Sequence, residues 1–304
     1  MQIVTVQNDN APPASEVIEK KSPLKSLMVA SDFSTGSSLA LSYATEVAKA
    51  FGSEVTLVHI QSPESFGGEM HDGVATARAE RLDDLGDLDL IVGRLQAQGI
   101  RSSYIVRTGA PADLLVQLAA ERKPDLLLMG AYGFHTAKRS TLGSTAEFLL
   151  RSLHCPVLVV GPSVKERPSG AVRLAKIIYA SALPEEPHAA QILVRELARK
   201  FAGHVHIVHV EPPRIGVEPR TLLRSLEMKE EKIAVYFRAS GVGSSWTLRF
   251  GSQSDHILDQ AKVTSAALVC FGIAHSASSP SQMGTLTTII RSATCPVLTV
   301  PGLA

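Results

Sequence analysis

The sequence is poor in the features that mark several protein classes. Its three cysteines, Cys155, Cys270 and Cys295, stand in apolar surroundings; an odd set of this kind offers no disulfide framework and reads as reduced core thiols. Aromatic residues make up 5% of the chain, with a single tryptophan. The net charge of +1 excludes a general attraction to nucleic acid or to a membrane surface. No apolar run approaches the roughly 20 residues that span a bilayer. The N-terminal stretch "MQIVTVQNDNAPPASEVIEKKSP" has no apolar core of the secretory-signal kind, and a cytoplasmic protein is expected. Also missing are G-x4-G-K-[ST], G-x-G-x-x-G, G-x-S-x-G and H-E-x-x-H, which leaves the phosphate-binding loop, dinucleotide fingerprint, hydrolase elbow and zinc-protease helix without support.

What the chain does have is repetition, and 304 residues are enough for two domains of about 150 each. "RSLHCPVLVV" (151–160) returns as "RSATCPVLTV" (291–300), "SEVTLVHI" (53–60) as "GHVHIVHV" (203–210), and "YIVRTGAPADLL" (104–115) as "WTLRFGSQSDHI" (246–257). The order is kept, so the chain is two copies of one domain. Residues 1–22 lack periodicity and read as a flexible tail. The first copy spans 23–162, "GPSVKERPSGAVR" contains a linker at 163–173, and the second copy spans 174–304.

Within each copy short apolar runs alternate with helix-period segments. In the first, "LKSLMVA", "EVTLVHI", "RSSYIVR", "PDLLLMG" and "PVLVV" read as strands. The helices between them end at Gly52 and Gly99 or start at Pro111 and Ser144. Fully apolar strands alternating with helices imply an α/β fold: a doubly wound, five-stranded parallel sheet with helices on both faces. Strands of the second copy are expected near 175–180, 204–210, 245–250, 266–272 and 296–300. Open sheets of this kind bind ligands at the carboxyl ends of their strands, where the winding reverses.

At that place in the first copy stands "GAYGFHTAKRSTLGST" (130–145), or Gly130-x2-Gly133-x9-Gly143-Ser144. Glycines admit a close approach of the backbone to a ligand, and a helix starting at Gly143-Ser144 offers free N–H groups to an anion. A phosphate chain can lie across Gly133, Gly143 and Ser144. The alternative is a glycine-rich connection with an ordinary helix start. Lys138 and Arg139 between the glycines read as solvated charges, with the phosphates of a triphosphate as their other possible partner.

With "ASDFS" (30–34) and the ending "CPVLVV", the glycine loop makes the first copy resemble the universal stress protein family, and the resemblance extends over nearly all of both copies. It implies a Rossmann-like fold of the adenine nucleotide alpha hydrolase kind that binds ATP, with or without Mg²⁺. It implies that Ala30 and Asp32 follow the first strand at the ribose and adenine. Ile60, after His59, meets adenine through its backbone. Gly130, Gly133, Gly143 and Ser144 take ribose and phosphates, with Thr145 beside them. Read as a residue, Asp32 has a second role open to it, capping the following helix.

The second copy departs from the motif. Its "GIAHSASSPSQMGTL" (272–286) keeps Gly272, has His275 in place of Gly133 and Pro280 inside a gap of one residue fewer before Gly284; Ala182 replaces Asp32. Nucleotide is therefore expected in the first copy and little or none in the second, whose role would be that of a dimer partner. The family pairs domains through their last strands, and "PVLVV" and "PVLTV" can pair within one chain, with a further homodimer open.

Histidines form the other visible group. "HVHIVHV" places His204 and His206 on one strand face and His209 on the other. Without an acidic or thiolate companion at clear spacing no metal is assigned. The functional expectation is a stress-response protein that senses or regulates through bound ATP. The alternatives are a slow ATPase or self-phosphorylating protein using Ser144 or Thr145, and a nucleotide-free interaction scaffold.

Overall fold

The computed structural model describes residues 5–6, 24–61, 73–133, 142–165, 174–182, 188–212, 219–273 and 280–302. Lys138, Arg139 and His275, and the linker from 166 to 173, lie outside them. The chain divides into two compact units, Leu24–Val160 and Gly161–Ala304, the latter joined by Met1–Pro23.

Residues 1–22, expected as a tail, contribute one element, β1 (Thr5–Val6), which pairs antiparallel with a later strand of the second unit. The sequence around it, "QIVTV", is rich in β-branched residues, which suit a strand added to an open sheet edge.

The first unit runs β2 (Ser26–Ser31), α1 (Thr35–Phe51), β3 (Glu54–Gln61), α2 (Gly73–Ala97), β4 (Ser102–Thr108), α3 (Pro111–Arg122), β5 (Leu126–Gly130), α4 (Ser144–Ser152), β6 (Val157–Val160). Its strands lie in the order β6-β5-β2-β3-β4, all parallel. The crossovers from β2 to β4 move one way and those from β4 to β6 the other, so right-handed connection puts α1 and α2 on one face and α3 and α4 on the other. The reversal falls between β2 and β5. Leu27, Leu57, Leu127 and Leu128 are fully buried, as strands covered on both faces require.

The second unit repeats the plan with β7 (Lys176–Ala180), α5 (Ala189–Lys200), β8 (His204–Glu211), α6 (Pro219–Ala239), β9 (Ser244–Phe250), α7 (Gln253–Val263), β10 (Leu268–Ile273), α8 (Pro280–Ser292) and β11 (Val297–Pro301). Its parallel order is β9-β8-β7-β10-β11, with β1 antiparallel on β9. The expected linker is not all connection, since Ser163 Oγ donates to the Arg291 carbonyl and Val164 is buried. Cys270 and Cys295 are buried free thiols and Cys155 is half-buried. Burial raises the Cys155 thiol to about 11, so it stays protonated and inert. Among the described residues no helix is long and apolar enough to cross a membrane.

Candidate functional site

At the carboxyl end of β2 the chain turns through Phe33, whose φ of 59° is left-handed, a conformation that costs a non-glycine residue about 1–3 kcal/mol. Two groups hold the turn. Asp32 Oδ1 accepts from the Ser34 backbone at 3.1 Å and from Ser34 Oγ at 2.6 Å. The Phe33 ring packs on His59 with centroids 4.8 Å apart. Ser34, and not Asp32, caps the helix, accepting from the Ser37 N–H at 3.2 Å. The capping role open to Asp32 is therefore corrected: its carboxylate braces the cap residue from outside the helix, because α1 starts at Thr35 and leaves Asp32 two residues too early.

The other Asp32 oxygen faces the loop after β5. A Cβ added at Gly133 would stand 3.1 Å from Oδ2, so the bare backbone at Gly133 lets the carboxylate lie against it. Gly130 is constrained differently. Its added Cβ would come within 3.0 Å of the Gly36 carbonyl carbon and 3.1 Å of Ser37 N, so Gly130 and Gly36 together let α1 press onto β5.

Gly143 closes the loop back onto the sheet. Its N–H donates to the Ala131 carbonyl at 3.0 Å, and a Cβ there would meet that oxygen at the same distance. It is the N-cap of α4 and offers no side chain to cap it, so the N–H groups of Ser144 and Thr145 open the helix without a side-chain acceptor from the cap. Glu147 in that first turn is paired with Arg151 one turn on, at 3.0 Å. Ile60 is reached from the other side: the register pairs Ser31 with His59 and Ala30 with Val58, so Ile60 stands level with Asp32, one strand away.

The structure therefore brings Ala30, Asp32, Gly130 and Gly133 together at the reversal point, links Gly143, Ser144 and Thr145 to them through Ala131, and sets Ile60 alongside. Phe33, Ser34 and Gly36 were not singled out from sequence. A Ser before a helix-period run signals the cap, and a small residue opposite Gly130 is the complement a tight helix–strand contact needs. Nothing local in "DFS" foretells the left-handed Phe.

His59 Nδ1 bonds the Ser31 carbonyl at 2.9 Å and Nε2 lies 3.3 Å from Asp84. In the second unit His209 repeats this with the Ser181 carbonyl at 2.8 Å and Glu211 at 3.1 Å, so the shared histidine ties two parallel strands. The rest of the second site differs. Helix α5 starts one turn late, at Ala189, with His188 as N-cap in a capping box. A Cβ on Gly272 would meet His188 Nε2 at 3.1 Å, so the imidazole occupies the place that the first turn of α1 takes beside Gly130. Gly284 lies inside α8 with open space around it. It does not open the helix, as its match to Gly143 would have it, because α8 begins a turn early at Pro280. His204 Nε2 and His206 Nδ1 both reach Ser245 Oγ at 2.8 Å, and His206 Nε2 lies 3.2 Å from Gln260 Oε1. Burial lowers the His206 pKa to about 4, and no group of three potential ligands among the described residues can hold a metal.

The model of the universal stress protein family matches this chain twice, over residues 23–161 and 175–301. The universal stress protein MJ0531 of Methanocaldococcus jannaschii is 32% identical over 144 residues, covering 47% of this chain and 85% of that protein. The universal stress protein A-like protein of Arabidopsis thaliana is 22% identical over 38% of this chain and 71% of its own length. Among solved structures, a universal stress protein from Archaeoglobus fulgidus superposes on 93% of this chain and 98% of its own with a TM-score of 0.68 at 16% identity, a likeness of fold.

Proposed function

The chain belongs to the universal stress protein family, and from that premise we propose that its first domain binds an adenine nucleotide, ATP with or without Mg²⁺, and that the second does not. The observation that carries this reading is the Asp32 carboxylate lying against the bare backbone of Gly133 while the uncapped start of α4 opens from the same loop. A carboxylate can accept both hydroxyls of a ribose, and helix N–H groups suit the phosphates that follow. Ala182 removes that acceptor from the second domain, and the His188 ring fills the space beside Gly272.

In this reading the nucleotide state of the first domain is the signal and the second domain its dimer partner within the chain, paired through β6 and β11, each the terminal strand of its own sheet. The protein acts in the cytoplasm as a stress-response sensor. A single proteolytic cut between 166 and 173 should leave two halves that co-elute if they pair. Binding without fast turnover is expected; phosphate found on Ser144 or Thr145 after incubation with ATP and Mg²⁺ would move the reading to a self-phosphorylating protein.

Hydrogen exchange tests the site directly. Adding ATP and Mg²⁺ should slow exchange at 30–34, 130–133 and 143–146 and leave 180–182 and 272 unchanged. Equal protection of both domains, or of neither, would refute the asymmetric site.

A further inference from the structure

A cavity of about 280 Å³ opens in the first domain on the face of the sheet that carries α1 and α2. Its floor is Val29 and Leu57, and Leu41, Leu90 and Ile91 form apolar walls. Ser31, Phe33, Ser37 and Ser38 line it together with Asp87 and Arg94. Its mouth adjoins the turn after β2, since Phe33 and Ser37 also line it, while its floor and its Arg94 end lie under α2, away from α4, whose first turn belongs to the nucleotide site and which packs with α3 on the opposite face.

The second domain shows that the fold does not require this gap. Equivalent strand registers match Val29 with Tyr179, each opposite the middle of the next strand, at Leu57 and Ile207. Equivalent helix ends match Arg94 with Tyr236, since Ile100 and Val242 bond back to Leu95 and Phe237 alike. The buried faces of α1 and α5 match Ser38 with His188. Tyr179 is fully buried, and its hydroxyl meets His188 Nε2 at 3.2 Å. The same chain thus covers the floor of this space with the Tyr179 ring in one domain and leaves it open over Val29 in the other. Opening it costs the contacts that a packed core would make, and it leaves Leu90 60% exposed on the wall.

We propose that this cavity is a second ligand site, for a small monocarboxylate with an apolar body. The floor and walls bury the body. Arg94 has no ion-pair partner among the described residues and meets the carboxylate. Asp87, two turns earlier on the same helix and about 10 Å away by helix rise, repels it and so fixes the orientation. Ser31 and Ser38 then face the far end of the ligand. The volume falls just below the usual range for ligand pockets, about 300–1,000 Å³, which suits a medium-length acyl chain or a single ring.

Sodium decanoate below its micelle concentration, titrated into the full chain, is the probe, with decylamine as the head-group comparison. One decanoate per chain should saturate, and decylamine should bind at least about fivefold more weakly, the scale of one charged contact. Arg94→Gln should weaken decanoate by a similar factor while ATP binding is unchanged. Val29→Tyr, which copies the second domain's ring at the floor, should abolish decanoate binding and leave ATP binding intact. ATP binding also reports that each variant is folded if the nucleotide site exists, and circular dichroism reports it independently. No saturable binding by the intact chain, equal binding of the amine, or undiminished binding by folded Val29→Tyr or by Arg94→Gln would overturn the proposal.

Discussion

Asp32 Oδ2 stands 3.1 Å from where a Cβ on Gly133 would be. The contact joins the end of β2 to the loop after β5, across the point where the sheet's winding reverses. Because the obstructing atom belongs to a flexible side chain, adding a methyl there moves a carboxylate and leaves the backbone alone. Gly133→Ala should therefore cost little stability and weaken ATP by roughly 10- to 100-fold, the equivalent of a misplaced charged hydrogen bond at about 1–3 kcal/mol. Thermal melting and calorimetry on one variant check both halves.

Gly130→Ala should behave in the opposite way. Its Cβ would meet the backbone of Gly36 and Ser37 at 3.0–3.1 Å, and two backbone segments cannot part without moving α1 off β5. A loss of about 1–3 kcal/mol is expected, read as a lower denaturation midpoint with or without nucleotide.

Glu230 on α6 is fully buried, and neither carboxyl oxygen has a hydrogen-bond partner among the described residues. Burial pushes its pKa up to about 8 from an ordinary 4.5. The folded form then holds a proton that the unfolded chain gives up, so stability falls as pH rises from 4.5 through about 8. The equivalent residue of the first domain is Leu88, also fully buried. Glu230→Leu should remove this slope and stabilise the protein above pH 8, by an amount on the order of 5 kcal/mol. Denaturation midpoints of the two proteins at pH 5 and pH 9 measure it; an unchanged slope in the variant would refute it.

His206 works in the other direction. Its pKa is lowered, first by burial, to about 4, so the unfolded chain takes up a proton between pH 6.5 and 4 that the folded one refuses. Stability from this group is complete above pH 6.5 and lost as pH falls through 4. His206→Gln should flatten the acid limb of the stability profile between those values, with the limb above pH 7 unaffected.

Strand and helix positions were legible because period and punctuation agree. Gly52 and Gly99 sit at positive φ just past their helices, and Pro111 opens α3. Apolar runs such as "LLLMG" could only be strands covered on both faces. The candidate residues were legible as types at a spacing, yet their division of labour was not. Gly130 and Gly133 look alike in sequence, and only their neighbours show that one serves helix packing and the other a carboxylate. The late start of α5 was hidden because His188 is an uncommon cap, and its ring takes the space of a missing helical turn. Pairing of Thr5–Val6 with β9 was hidden because the signal was two residues long.

The most direct test of the asymmetric site is calorimetric titration of ATP with Mg²⁺ into the intact chain and into Asp32→Ala with Gly133→His, which gives the first domain the second domain's residues. The account predicts one ATP per intact chain and no measurable binding by the variant. Two ATP per chain, none, or binding that survives the double substitution would contradict it.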